Sequence, residues 1–216
     1  MELDVKADTQ PLHKTYDSIR ATNPEAIPDI AEGWFRCAMH ERDATAAKNA
    51  LDAYNGTWAW AFLYELPFSR SLGEGLIARM TKDEGKARSA FVAARAEQEK
   101  IVQAQPNDSK SVCMLGLIDA FLGRKEEALR EGRRAVELLP VEKDALDGVC
   151  WVEYLAMIAA WVGDKDLAFE QLESIIRRPS PISYGNLKLL PFWDPLRGDP
   201  RFEKILEEAK QPVQLK

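Results

Sequence analysis

The stretch LGLIDAFLGRKEEALREGRRAVELLP, Leu115 to Pro140, decides the fold. Gly116 stands seven residues before Gly123, and Ala128 and Ala135 stand seven apart. An interval of seven returns a side chain to the same face of a helix, so small residues at those places mark a stripe where a second helix lies close. Gly123 breaks the pattern in the middle. Pro140 ends it, because proline lacks the amide that would carry a helix onward. The stretch predicts a helix, a tight turn, a second helix and a stop.

The same unit recurs along the chain. Ala47, Ala87, Ala128 and Ala168 take equivalent places, separated by 40, 41 and 40 residues (87−47, 128−87, 168−128). A fixed period of this size marks stacked helical pairs sharing one core. Four units follow, at about 27–55, 67–106, 109–140 and 146–178, preceded by a half-repeat at 9–24 and closed by a helical cap at 181–210. The expected fold is all-α, a solenoid of antiparallel helix pairs forming a single domain over 9–216, with residues 1–8 disordered. Within it, Asp43 is an expected N-cap, Asn107 and Asp108 together are the expected cap of unit three, and Asp194–Pro195 and Asp199–Pro200 write two helix starts five residues apart. The second helix of unit two, Asp83 to Gln105, is unusually long. Asn55 and Gly56 predict a turn, and the aromatic run Thr57 to Phe68 that follows is expected to be a short helix or a packed loop.

Composition excludes several classes of function. A net charge of −6 gives no general attraction to nucleic acid or to an anionic membrane, and fits a basic partner better than an acidic one. No apolar run approaches the roughly 18 residues of a membrane span, and MELDVKADTQ is not a signal sequence, so no membrane contact by this segment is expected. Cys37, Cys113 and Cys150 lie far apart without metal-ligand spacing and are read as free buried thiols, with no metal and no cofactor. Only His13 and His40 are present, which leaves no basis for a nucleophilic triad. The basic cluster Arg124, Lys125, Arg130, Arg133 and Arg134 is interleaved with glutamate and reads as a solvated face, in which Glu126 and Arg130 support each other four residues apart. Trp34, Trp151, Trp161 and Trp193 fall on apolar stripes and read as packing.

The glycine and alanine placement resembles the tetratricopeptide repeat (TPR), although the period exceeds the usual value of about 34 and approaches that of HEAT-like pairs. More specifically, GLIARMTKDEGKARSAF, LGLIDAFLGRKEEALREGRRAVELLP, AAWVGDKDLAFEQLE and YGNLKLLPFWDPLRGDPRFEKI resemble the C-terminal TPR region of bacterial multidomain regulators, over about Asp29 to Lys210. In that group the region is fused to a serine/threonine protein kinase, a nucleotide cyclase or a winged-helix domain. The resemblance implies that the first helix of each unit lines a concave peptide-binding groove. Residue by residue, it places Glu32, Arg36, Met39 and His40 there from unit one, and Leu72, Leu76, Arg79 and Met80 from unit two. Cys113, Leu117 and Phe121 follow from unit three, and Glu153, Met157 and Trp161 from unit four. The lysine and asparagine set that clamps a peptide C-terminus in some TPRs is absent from these positions.

The expected function is therefore a non-catalytic scaffold that binds a protein or peptide segment, or further copies of its own chain. The alternative is a regulatory or oligomerisation module of a fused signalling kinase or transcription regulator. The expected location is cytoplasmic, or extracytoplasmic where a parent protein carries a membrane span ahead of the array.

Overall fold

Two short helices, α1 (Glu2–Lys6) and α2 (Gln10–Thr22), lead into a body of packed helical hairpins in the computed structural model, which describes residues 2–54, 58–60, 66–178 and 182–211. The hairpins are α3 (Ile27–Glu41) with α4 (Ala44–Asp52), α5 (Arg70–Met80) with α6 (Glu84–Ala104), α7 (Ser109–Phe121) with α8 (Lys125–Leu138), and α9 (Asp147–Trp161) with α10 (Lys165–Ile175). The chain closes with α11 (Tyr184–Leu189), a 3-10 helix (Pro191–Leu196) and α12 (Pro200–Ala209). Between α4 and α5 a small antiparallel ribbon pairs β1 (Trp58–Trp60) with β2 (Leu66–Phe68).

Each hairpin turns in the same way. The residues Arg42, Lys82, Gly123 and Gly163 adopt positive φ of 59°, 59°, 74° and 79°. The next amide then reaches back across the turn: Asp43 to Ala38 O, Asp83 to Ala78 O, Arg124 to Asp119 O, Asp164 to Ala159 O. That closure satisfies carbonyls that the helix end would otherwise leave bare. Asp43, Asp83 and Asp164 then cap the second helix, accepting from the amides of Ala46, Lys86 and Leu167. Arg124 holds the corresponding place in the third hairpin with no capping bond, and its side chain lies instead against Asp119.

Close packing falls where the small residues lie. Ala47, Ala87, Ala128 and Ala168 are each fully enclosed, at 0% exposure. A Cβ on Gly116 would stand 3.1 Å from the Ala128 carbonyl oxygen and 3.1 Å from the Gly132 nitrogen, so the two helices of that hairpin touch backbone to backbone. One apolar core runs without interruption from Trp34 to Leu206.

Three sequence expectations are corrected. The start of the chain is not disordered: Glu2–Lys6 form α1, whose Leu3 is buried and whose backbone packs on α11. A Cβ on Gly185 would fall 1.8 Å from the Leu3 carbonyl oxygen, so glycine alone allows that approach. The contact joins residues at opposite ends of the chain, which a local reading of a polar start does not register. The aromatic run is neither helix nor simple loop where it is described. Pro67 lacks the amide a helix would need, and the aromatic segments on either side suit a pleated pair. Leu66 and Phe68 anchor β2 in the core, with the Phe68 ring 5.5 Å from that of Phe35. The rest of that run (57 and 61–65) and the expected turn at Asn55–Gly56 lie outside the described residues. Finally, Asp194–Pro195 does not start a helix but sits within the 3-10 turn, whereas Asp199 does cap α12, accepting from the Arg201 amide.

Candidate functional site

The fourteen residues expected to line a concave groove divide sharply by exposure. Met39, His40, Leu72, Leu76, Cys113, Leu117, Phe121, Glu153 and Met157 are buried, while Glu32, Arg36, Arg79, Met80 and Trp161 are half-buried. What fills part of the inner face is the chain itself. His40 Nε2 lies 3.1 Å from Asn186 Oδ1, and Trp161 Nε1 donates to the Phe192 carbonyl at 2.9 Å. The Phe192 ring stacks on Phe121 at 5.9 Å. At the edge, Arg42 grips Asp194 with both terminal nitrogens, at 2.6 and 2.7 Å. The segment from α11 through the 3-10 helix thus reaches the first, third and fourth hairpins, and Leu187, Leu190, Phe192, Trp193 and Leu196 are all buried in doing so. Burying five such side chains contributes on the order of 10 kcal/mol, so this segment is a fixed part of the fold rather than a displaceable ligand.

At the centre of that face Arg79 is enclosed by rings. Its guanidinium lies 4.8 Å from the Phe91 centroid, 5.2 Å from Phe121 and 4.6 Å from Trp161. Nη2 donates to the Phe121 carbonyl at 2.9 Å, and Nη1 is enclosed without a hydrogen-bond partner. Burial holds its pKa below the ordinary arginine value, opposed by the charge of Glu84. Glu153 is the converse case. It is 3% exposed, takes part in no hydrogen bond or ion pair among the described residues, and burial pushes its carboxyl up to about 8. It is a neutral acid at pH 7.

No catalytic constellation forms from the candidates sought in the sequence. The Cys37 thiol is pushed up to about 12 by burial and then by Glu41, which makes it a poor nucleophile. His13 is held by Glu41 at 2.8 Å and Asp17 at 3.2 Å, and the Glu41 contact raises its pKa. Burial lowers that of His40. Cys113 and Cys150 are buried free thiols. Among the described residues no three acidic, histidine or cysteine side chains are grouped to hold a metal, and no helix is long and apolar enough to cross a membrane. The expected Glu126–Arg130 pair is not formed, since Arg130 turns to Glu131 at 3.1 Å.

The outer surface is more open, above all along α6. At 21 residues it is the longest helix among those described, and α4 beside it has only 9. A cleft of about 680 Å³ lies over α4, α5 and the N-terminal half of α6, floored by Leu51, Ile77, Ala78, Ala90 and Ala93. Arg70 spans its rim, bonded to Asp52 at 2.7 Å, Glu74 at 3.1 Å and the Leu51 carbonyl at 3.1 Å. On the other flank of α6 a second cleft, about 290 Å³, lies among Arg88, Val92, Arg95, Ala96, Leu122 and Arg124. Val92 and Ile101 on the same helix are 52% and 39% exposed. No family model, curated protein or solved structure matches the chain.

Proposed function

We propose that the chain is a non-catalytic protein-interaction module of TPR-like hairpins that holds a segment of a partner protein across the outer surface of α6. The repeat assignment is supported by the even spacing of four enclosed alanines and by one turn design used four times. One contrast carries the choice of surface. Nine of the fourteen expected groove residues are buried, whereas α6 presents exposed Val92 in the smaller cleft and exposed Ala93 in the larger. Large apolar side chains left in water beside concave, partly apolar surface are what a docking segment would cover. The inert thiols and the paired or buried histidines support a role without chemistry of its own.

Leu117, 1% exposed, cannot touch a partner without opening the core, so a loss of binding on changing it would report unfolding rather than contact. A photo-crosslinking residue placed singly at Val92, Ala93, Met80 or Lys204 tests the surface directly. Adducts with one partner are expected from Val92 and Ala93 and not from Met80 or Lys204. Adducts from Met80 alone would return the site to the inner face.

A further inference from the structure

Arg88, Val92, Arg95 and Ala96 are spaced to share one side of α6, and they meet Leu122 and Arg124 from the neighbouring hairpin around the smaller cleft. Two of the three arginines are held in place from below. Arg95 Nε donates to Asp119 Oδ1 at 2.7 Å, and Arg124 Nε lies 3.1 Å from the same oxygen, while Asp119 itself is 1% exposed. Each also meets a carboxylate at the periphery, Arg95 Nη1 with Glu99 at 3.0 Å and Arg124 Nη2 with Glu127 at 2.7 Å. Among the described residues Arg95 Nη2 and Arg124 Nη1 have no acceptor, and exposed Arg88 has neither hydrogen bond nor ion pair. A buried carboxylate that fixes two guanidiniums, with donors left over and an apolar floor of Val92 and Leu122 beside them, is arranged to receive another group.

We propose that this cleft takes an acidic side chain of the partner segment, a glutamate or aspartate adjoining an apolar residue. Its carboxylate binds among Arg88, Arg95 and Arg124, and the apolar neighbour rests on Val92 and Leu122. The inference builds on the α6 docking surface. Charge alone draws no anion to this cleft, in keeping with the chain's net charge of −6. Three guanidiniums stand against Asp119, Glu99 and Glu127, so the cleft has little net field. Affinity must come from forked hydrogen bonds and apolar contact rather than long-range attraction. A peptide supplying both fits; a bare anion supplies only one.

The test is a ¹⁵N titration of the full chain with a capped peptide alternating glutamate and leucine, with its glutamine–leucine counterpart, and with inorganic phosphate. Shifts at Val92, Ala96 and Leu122 are expected with the glutamate peptide, with at least tenfold weaker binding for the glutamine version. Arg88→Glu should lose binding tenfold or more with an unchanged spectrum elsewhere, because Arg88 supports nothing in the fold, and Arg88→Lys should lose part of it. Equal binding of the glutamine peptide, indifference to Arg88→Glu, or displacement of the peptide by phosphate alone would overturn the proposal. The outcomes separate from those of the docking surface. Val92 adducts without peptide binding would sink only the acidic anchor. Peptide binding without α6 adducts would sink the partner assignment.

Discussion

Arg79 shows how a half-buried cation is kept without a counter-ion. It lies in the last turn of α5, while Phe121 and Trp161 end α7 and α9, so three helix C-termini, each carrying partial negative charge, converge on one guanidinium. Three ring faces supply the remaining attraction. Lysine cannot lie flat among rings or keep the bond to Phe121, so Arg79→Lys is expected to lower unfolding free energy by about 1–3 kcal/mol in urea titration. Arg79→Met, which removes the charge and fills the space, should cost less than the lysine change. Glu153 gives a pH dependence with a definite sign. Its folded value of about 8 lies above the ordinary 4.5, so the unfolded chain sheds this proton first as pH rises. The stability it permits is complete below about pH 4.5 and falls until about pH 8, by roughly 1.4 kcal/mol per unit at most. Glu153→Gln should flatten that slope, read from denaturant midpoints at pH 5, 6.5 and 8. At this scale the sequence was informative about size and poor about exposure. Alanine and glycine intervals located the close contacts because only small residues fit them. Nothing in the spelling of Leu117 or Cys113 distinguished a groove lining from a core, since both are apolar on the same stripe.

Among elements, α2 is the most loosely held of the longer helices: none of its residues is buried. It rests on α3 through His13 against Glu41, Tyr16 over Gly33 and the Arg20 guanidinium 4.1 Å above the Trp34 ring. The Glu41 contact raises the His13 pKa, so its contribution is whole below the ordinary 6.5 and is lost as pH rises through the raised value. Amide exchange in α2 should therefore quicken from pH 6 to pH 8 after correction for intrinsic rates, and His13→Gln should abolish the quickening. Helix positions were legible because caps and breakers are local chemistry. Asp83 and Gln105 bracket α6 as read from the sequence, and Asp43, Asp108 and Asp199 cap as expected. α1 was missed because its partner, α11, lies far along the chain, whereas the ribbon pairs β1 with β2 close by and was missed although Pro67 argued against a helix.

Seen as a whole, the molecule is more than a row of hairpins. The C-terminal segment spans 146 residues to reach His40 and 152 to reach Arg42. Such long closures carry an entropic cost that grows only slowly with length, so a few well-packed side chains can sustain them. Asp194→Asn weakens the clasp on Arg42 without emptying the core. It is expected to lower the thermal midpoint modestly while leaving helical circular dichroism intact. No periodicity could have announced this, because the segment that makes these ties belongs to none of the hairpins.

That closure bears on how the protein comes apart. A row of units that touch only their neighbours frays from its ends, one hairpin at a time. Here Asn186 and Asp194 tie the first hairpin to the C-terminal segment, which Trp161 in turn ties to the last, and Arg79 links the second, third and fourth. Neither terminal hairpin can melt while the others stand without breaking a distant tie. Slow amides of α4 and α10 should accordingly share one opening free energy, making this a cooperative molecule assembled from repetitive parts.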